Sequence, residues 1–153
     1  MQLEDILKPN DVHLALASSD CTTAVEEVLA QLNGDERVGD WEALRNAVTG
    51  HDPAILTSED CGICIAHGRT QALSGLVVAV GRSEKGLPNA NSEPTTRLVF
   101  VAGIPATMNA QYLAVVGAIA RVCSNKRSLS RLLTAKSPTD FIDTLQSGCA
   151  ALD

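Results

Sequence analysis

Aromatic residues are scarce in this sequence of 153 residues, where Phe, Trp and Tyr together make up 3%. Proteins that bind single-stranded nucleic acid stack bases on aromatic side chains, so the composition argues against that function. Basic residues are also few. The sequence has 12 Lys and Arg but 18 Asp and Glu, which gives a net charge of −6. Duplex nucleic acid and anionic membrane surfaces select clustered Lys and Arg. We therefore expect neither as a partner.

Long hydrophobic runs are missing as well. The longest apolar stretches, residues 76–80 and 98–104, are far shorter than the roughly 20 residues that a membrane helix needs. The opening MQLEDILKPND lacks the basic and then apolar regions of a secretion signal. With 45% hydrophobic and 20% charged residues, the chain is predicted to be a cytoplasmic globular protein. We expect a single domain over residues 1–153, without membrane insertion.

Cysteine is present, but neither at the density nor in the even number of a secreted disulfide scaffold. Most of the cysteines are expected to be small buried thiols in a reducing compartment. The five cysteines are Cys21, Cys61, Cys64, Cys123 and Cys149.

Helical signals occupy both ends of the chain. SSDCTTAVEEVLAQLNG (18–34) and DWEALRNAVTG (40–50) place apolar residues at helical spacing between an acidic cap candidate and a glycine stop. Later, NAQYLAVVGAIARVCSN (109–125), SLSRLL (128–133) and SPTDFIDTLQSGCAAL (137–152) predict three more helices. The last opens with Ser137 as the cap and Pro138 at the first helical position. Its apolar stripe comprises Phe141, Ile142, Leu145 and Cys149.

Strand signals lie between these helices. ICIA (63–66), GLVVAVG (75–81) and RLVFVAG (97–103) are short runs rich in β-branched residues, as expected of strands buried on both faces. RSEKGLPNANSEPTT (82–96) shows no periodicity and is predicted to be a long loop. Helices, then strands, then helices indicate a three-layer α/β domain.

A C-x2-C-x2-H spacing, formed by Cys61, Cys64 and His67, raises the possibility of a metal site or a redox pair. A structural zinc site needs four converging ligands, and no second ligand pair follows in the sequence. If the segment is a strand, alternation also points the two thiols to opposite faces. We therefore favour no metal and no cofactor here, and keep a Cys61–Cys64 metal or redox switch as a minor alternative.

His67 supports a different chemistry. It ends a predicted buried strand and precedes Gly68 and Arg69, at the edge where α/β domains place their sites. Gly68 would let backbone N–H groups approach an anion, Arg69 is a fixed cation, and Thr57 and Ser58 add hydroxyls. A neutral imidazole can attack a phosphoryl group directly. The pattern predicts a phosphoryl site, although a histidine with a purely structural role is the alternative.

Four segments of the sequence resemble the motifs of one protein family. LEDILKPNDVHLAL resembles that family's opening, and GICIAHGR resembles its G-I-A-I-P-H-G-R active-site strand. LVFVAGIPATMNAQYLAVVGAIARV is similar to its strand, P-x-x-x and H-L helix, and LLTAKSPTDFIDTL to its ending. In these segments the sequence resembles the IIA domains of the fructose, mannitol and nitrogen-regulatory branch of the bacterial phosphotransferase system. The resemblance implies a mixed sheet of about five strands with helices on both faces.

The resemblance also implies a phosphohistidine carrier. His67 matches the histidine that accepts phosphate from the small carrier protein HPr or a paralogue, which makes such proteins transferase components. Transport branches pass the phosphate to a IIB domain, whereas the nitrogen branch acts through regulated targets, among which a transporter is possible. The sequence shows no IIB or membrane segment, so the regulatory branch is closer.

The site departs from the family pattern in four places. The family's second histidine corresponds to Tyr112, the arginine of its upstream R-E pair to His51, and the proline before the active histidine to Ala66. Its T-G-I-G-N-G becomes TSEDCG (57–62). We expect Glu59 and Asp60 to bring negative charge to the phosphate and to raise the pKa of His67. The alternative function is therefore a binding module on the same fold that no longer takes phosphate.

Overall fold

A mixed sheet of five strands runs through the middle of the protein in the computed structural model, which describes residues 3–58, 60–88 and 95–148. Within these residues the strands are β1 (Val12–His13), β2 (Ala54–Thr57), β3 (Gly62–Arg69), β4 (Val77–Leu87) and β5 (Thr96–Ile104). Their order across the sheet is β1-β4-β5-β3-β2. β3 is parallel to β5 and β1 to β4, whereas β2–β3 and β4–β5 are antiparallel pairs.

Helices cover both faces of this sheet. Among the described residues they are α1 (Leu3–Ile6), α2 (Cys21–Leu29), α3 (Trp41–Thr49), α4 (Asn109–Ser124), α5 (Lys126–Thr134) and α6 (Pro138–Gln146). One core cluster joins the sheet to α1, α4, α5 and α6, and a second joins its other face to α2 and α3. Alternate strand residues enter each cluster, which is the period-2 pattern of strands buried on both faces. The predicted three-layer α/β architecture is confirmed.

The predicted helix starts are confirmed at three capping side chains. The Asp20 carboxylate accepts the Thr23 N–H at 2.9 Å, and the Asp40 carboxylate accepts the Ala43 N–H at 3.2 Å. The Ser137 hydroxyl accepts a backbone N–H from the third residue of α6 at 3.1 Å. Each cap satisfies a donor that the first turn of a helix leaves free. Pro138 is the first residue of α6, as predicted, and Cys149 lies outside the described residues.

The predicted loop over residues 82–96 is wrong in its first part, because β4 continues to Leu87. Arg82 and Ser83 are buried, and their polar groups find partners inside the fold. The Arg82 guanidinium donates to the carbonyls of Leu132 and Ala135, each at 2.9 Å. A polar side chain whose hydrogen-bonding groups have partners can therefore occupy a buried strand, although its residue type suggests a loop. Residues 89–94 of this segment lie outside the described residues.

Candidate phosphoryl site

The carboxyl ends of β3 and β5 lie side by side and define the site. The two strands are parallel neighbours, with His67 opposite Ala102 and Arg69 opposite Ile104. β5 ends at Ile104, and α4 begins soon afterwards at Asn109. The first turn of α4 is therefore placed at the same edge of the sheet as His67, which is where open α/β sheets carry their sites.

A third segment reaches this edge from the other face of the sheet. β2 is antiparallel to β3, with Ala54 opposite Ile65, so the residues just before β2 lie near the end of β3. His51 is one of them. α3, which precedes it, packs directly on β3, since a Cβ added to Gly68 would lie 2.4 Å from the carbonyl carbon of Ala47. Only glycine permits this close approach.

Three aromatic rings meet at this point. The ring centroid of His67 lies 5.9 Å from that of His51 and 5.6 Å from that of Tyr112, each pair inclined by 35°. Tyr112 is buried, His67 is half-buried and His51 is exposed. The structure thus brings together two of the positions at which the sequence departs from the family pattern. Both departures surround the histidine that the sequence predicts as the phosphate acceptor.

The surroundings of His67 favour its neutral form. Burial lowers the pKa of His67 below its ordinary value of 6.5, and the positive charges of Arg69 and then His51 lower it further. Burial also raises the pKa of Tyr112 above 10, against a smaller opposing effect of Arg69. At neutral pH the site therefore presents an unprotonated imidazole, which is a nucleophile, beside a protonated phenol, which is a hydrogen-bond donor.

Arg69 is tied to the start of α4. Its side chain is exposed, and its guanidinium Nη2 donates to Oδ1 of Asn109. Asn109 is a site residue that the sequence reasoning missed. Its only signal in the sequence is its position as the first residue of a predicted helix that follows a strand end, where side chains from neighbouring strands meet.

Thr57 and Ser58 are not at this site, which corrects the prediction that they contact the phosphoryl group. Thr57 pairs with Gly62 at the start of β3, five strand residues before His67, or about 16 Å along the strand. The Ser58 hydroxyl donates to the carbonyl of Cys61 at 3.0 Å and closes the turn between β2 and β3. The antiparallel register carries both residues away from His67.

Asp60 is not at this site either. Asp60 is exposed and lies at the amino end of β3 with Ser58, and its N–H donates to the Ser58 hydroxyl at 3.3 Å. The expectation that Asp60 raises the pKa of His67 is wrong, because this pKa is lowered. Glu59 lies outside the described residues.

The cysteine pair separates across the sheet, as strand alternation predicts. Cys61 belongs to the core cluster under α4, α5 and α6, and Cys64 to the one under α2 and α3. Burial raises the pKa of the Cys64 thiol to about 12. Two thiols on opposite faces of one strand share neither an ion nor a disulfide. Over the described ranges, no cluster of three or more His, Cys, Asp or Glu is arranged to hold a metal ion.

Two cavities near β3 are not lined by His67. A groove of about 540 Å³ lies at the amino end of β3, where Leu56, Ile63 and Leu129 contribute apolar lining. A smaller cavity of about 200 Å³ lies behind His51 and Ala66. His67 lines neither cavity and is half-buried near the carboxyl end of β3. Among the same residues, no helix is long and apolar enough to cross a membrane.

Comparison with known proteins decides the family. Residues 5–148 match the family described as the phosphoenolpyruvate-dependent sugar phosphotransferase system, EIIA 2. The chain belongs to this family. The resemblance in the sequence is confirmed, and EIIA 2 membership supports a phosphocarrier or regulatory role in the phosphotransferase system (PTS).

Two curated relatives of this EIIA 2 chain are named for fructose. It is 28% identical over 123 residues to the PTS system fructose-specific EIIA component of Haloferax volcanii, and the match covers 80% of each chain. It is 22% identical over 147 residues to the PTS system fructose-specific EIIABC component of Bacillus subtilis. That match covers 95% of this chain but 23% of the relative, so the chain spans about a quarter of that protein.

Solved structures share the EIIA fold at low identity. The nitrogen regulatory protein IIA-Ntr of Neisseria meningitidis is 21% identical, with a TM-score of 0.74 over 94% of this chain and 98% of that one. The mannitol enzyme IIA of Escherichia coli, solved in complex with phosphorylated enzyme IIB, is 16% identical. Its TM-score is 0.70, over 93% of this chain and 99% of that one. These likenesses show the fold, a five-stranded mixed sheet with helices.

Proposed function

We propose that this EIIA 2 chain accepts a phosphoryl group on His67 from an HPr-type carrier and signals through contacts with other proteins. The observation that carries the proposal is the position of the His67 ring at the carboxyl end of β3, between the rings of His51 and Tyr112. Its lowered pKa leaves the ring nitrogen able to attack phosphorus. The phosphorus–nitrogen bond to His67 forms as the bond that held the group on the donor breaks.

Three side chains around His67 are suited to the charge that develops on the phosphoryl oxygens. Arg69 is a permanent cation, and the protonated phenol of Tyr112 is a donor. His51 adds a further donor, and a positive charge when it is protonated. Phosphoryl transfer depends on such positioned donors and charges more than on an added base. The site keeps this capacity although it lacks the family's arginine and second histidine.

The surface beside His67 offers a place for a protein donor to dock. Leu113 is 57% exposed and directly follows Tyr112 on the first turns of α4. It is one of two large hydrophobic side chains in the described chain that are exposed, the other being Ile55 on β2. An exposed apolar side chain that directly follows Tyr112 in α4 supports a role in transient protein contact. The mannitol IIA relative supports the same view, since it was solved bound to phosphorylated IIB.

The test is phosphorylation by phospho-HPr from the same organism, read by intact mass and by the mass of proteolytic fragments. We expect one phosphoryl group, labile in acid, on the fragment that contains His67. His67→Ala should remove it. His13→Ala is the matched control, because His13 lies in β1 and pairs with Glu27 at 3.0 Å, away from the site.

Two results would contradict the proposal. Phosphoryl incorporation that persists in His67→Ala would place the acceptor elsewhere, with His51 as the first residue to examine. No incorporation at high donor concentration would leave the chain as a binding module that takes no phosphate. The partner of such a module would be sought with the unphosphorylated protein.

A further inference from the structure

Asn109 and Arg69 join two elements that are distant in sequence. Arg69 ends β3 and Asn109 begins α4, 40 residues later, and the guanidinium donates to the side-chain carbonyl of the asparagine. Both side chains are exposed. An exposed arginine with no tether samples many rotamers, so a fixed acceptor decides where its charge lies.

We propose that Asn109 is a positioning residue that holds the Arg69 guanidinium beside His67 and Tyr112. The proposal deepens the proposed phosphoryl acceptance at this site, since the guanidinium is the permanent cation there. The effect of Asn109 on the position of the Arg69 guanidinium can be tested without phosphate.

The alternative role for an asparagine at this position is capping of α4, and the structure assigns that position to another residue. Asn109 is the first residue inside the helix, and Met108 occupies the N-cap. The side-chain carbonyl of Asn109 accepts from Arg69 instead of from a backbone N–H of the first turn. Asn125 is the contrasting case, because it is the N-cap of α5 and accepts the Ser128 N–H at 3.0 Å.

The neutrality of asparagine matters for the site. Its carbonyl accepts a hydrogen bond from the guanidinium without cancelling the positive charge, whereas a carboxylate would pair with that charge. The groups that face His67 are Arg69, His51 and Tyr112, and Arg69 is the fixed cation among them. An amide therefore combines a tether with an undiminished positive charge for an incoming phosphoryl group.

The experiment compares Asn109→Ala and Asn109→Asp with the wild type. The ring proton resonances of His67 are followed by NMR during a pH titration, and phosphoryl uptake from phospho-HPr is timed separately. We expect the His67 pKa to rise in Asn109→Ala, because the guanidinium is released to solvent. It should rise further in Asn109→Asp, because the carboxylate pairs with the guanidinium. In Asn109→Ala, uptake should slow by about threefold, the equivalent of half a pKa unit, because the released Arg69 is still present.

A double-mutant cycle separates positioning from a general structural effect. If Asn109 acts through Arg69, then Asn109→Ala should change neither the His67 pKa nor the uptake rate in an Arg69→Gln background. Asn125→Ala is the matched control. It removes an asparagine hydrogen bond at the start of another helix, a capping bond to a backbone N–H, and should lower the unfolding temperature while the His67 pKa stays at its wild-type value.

A His67 pKa that is the same in wild type, Asn109→Ala and Asn109→Asp would overturn the proposal. So would an equal effect of Asn109→Ala with and without Arg69. If the wild type takes up no phosphate, the proposed function fails, but the NMR titration still decides the role of Asn109.

Discussion

The two ends of β3 differ although both carry polar residues that suggest chemistry. At the carboxyl end, His67 and Arg69 meet His51, Tyr112 and Asn109 from other segments of the chain. At the amino end, polar side chains form hydrogen bonds with nearby backbone groups. The Ser58 hydroxyl, for example, donates to the carbonyl of Cys61 in the same turn. The first end concentrates side chains from distant parts of the chain, whereas the second closes a local turn. A reactive site requires several side chains brought together, as they are at the carboxyl end.

The contrast also shows why closeness in sequence misleads. Thr57 is only ten positions before His67, yet a hairpin register places it about five strand residues, or roughly 16 Å, away. Tyr112 is far along the chain, yet its ring contacts that of His67. Parallel pairing of β3 with β5 accounts for this, since it aligns the carboxyl ends of both strands and the helix that follows.

The largest expected effect comes from disturbing the close packing at the carboxyl end of β3. Gly68→Ala places a methyl group 2.4 Å from the backbone of α3, which cannot retreat as a flexible side chain would. We expect the free energy of unfolding to fall by about 3 kcal/mol, as for severe overpacking. Urea denaturation measures it. Gly75→Ala is the control, because the added methyl would lie 3.5 Å from an arginine side chain, in ordinary contact. Similar losses in both variants would contradict the packing argument.

The next effect tests the charges at the two ends. Arg69→Gln removes the cation beside His67, so phosphoryl uptake should slow by about tenfold, as expected when a charge-assisted contact is lost. Asp60→Asn changes a charge at the other end and should alter uptake by less than about twofold, because exposed charges that far apart are screened by salt. Single-turnover transfer from phospho-HPr measures both rates. A large increase in the uptake rate of Asp60→Asn would support the original expectation that the acidic residues of this turn repel the phosphoryl group.

A smaller effect tests the hydroxyls at the two ends. Tyr112→Phe keeps the ring beside His67 but removes the donor, which should slow uptake by about fivefold, or about 1 kcal/mol. Thr57→Val removes a hydroxyl at the amino end and should leave the rate unchanged. The same transfer assay measures both rates. If Thr57→Val takes up the phosphoryl group more slowly than Tyr112→Phe, the assignment of the site to the carboxyl end of β3 is contradicted.

The smallest effect is the pH dependence that His67 adds to stability. Because its pKa in the folded protein lies below 6.5, the unfolded chain binds more protons as the pH falls from about 6.5 toward the folded value. The free energy of unfolding must therefore decrease over that window. His67→Gln should lose less stability than the wild type between pH 7 and pH 5. Thermal unfolding at both pH values measures this. A larger loss of stability in His67→Gln than in the wild type between pH 7 and pH 5 would contradict a lowered His67 pKa.

Much of the fold can be predicted from the sequence because its signals are local. Helix caps such as Asp40 and Ser137 act within one turn, and apolar runs mark buried strands wherever they pair. The extension of β4 through Arg82 cannot be predicted in this way, because its burial depends on carbonyls of α5 and the residue after it. The prediction of α/β layers is unaffected by this error, since layer order follows from the sequence of elements.

For the candidate site, the sequence by itself was enough to single out His67 as the proposed phosphoryl acceptor. A histidine at the end of a buried strand, followed by Gly68 and Arg69, is a local pattern, and strand alternation alone places Cys61 and Cys64 on opposite faces. The companions of His67 were decided by the tertiary structure. The parallel register of β3 and β5 brought Tyr112 to His67 and Asn109 to Arg69, and the antiparallel register of β2 took Thr57 away. The family resemblance marked Tyr112 as a site position but gave no sign of Asn109. A strand pattern repeats every two residues and contains no information about its partner's register, so the pattern alone could select neither neighbour.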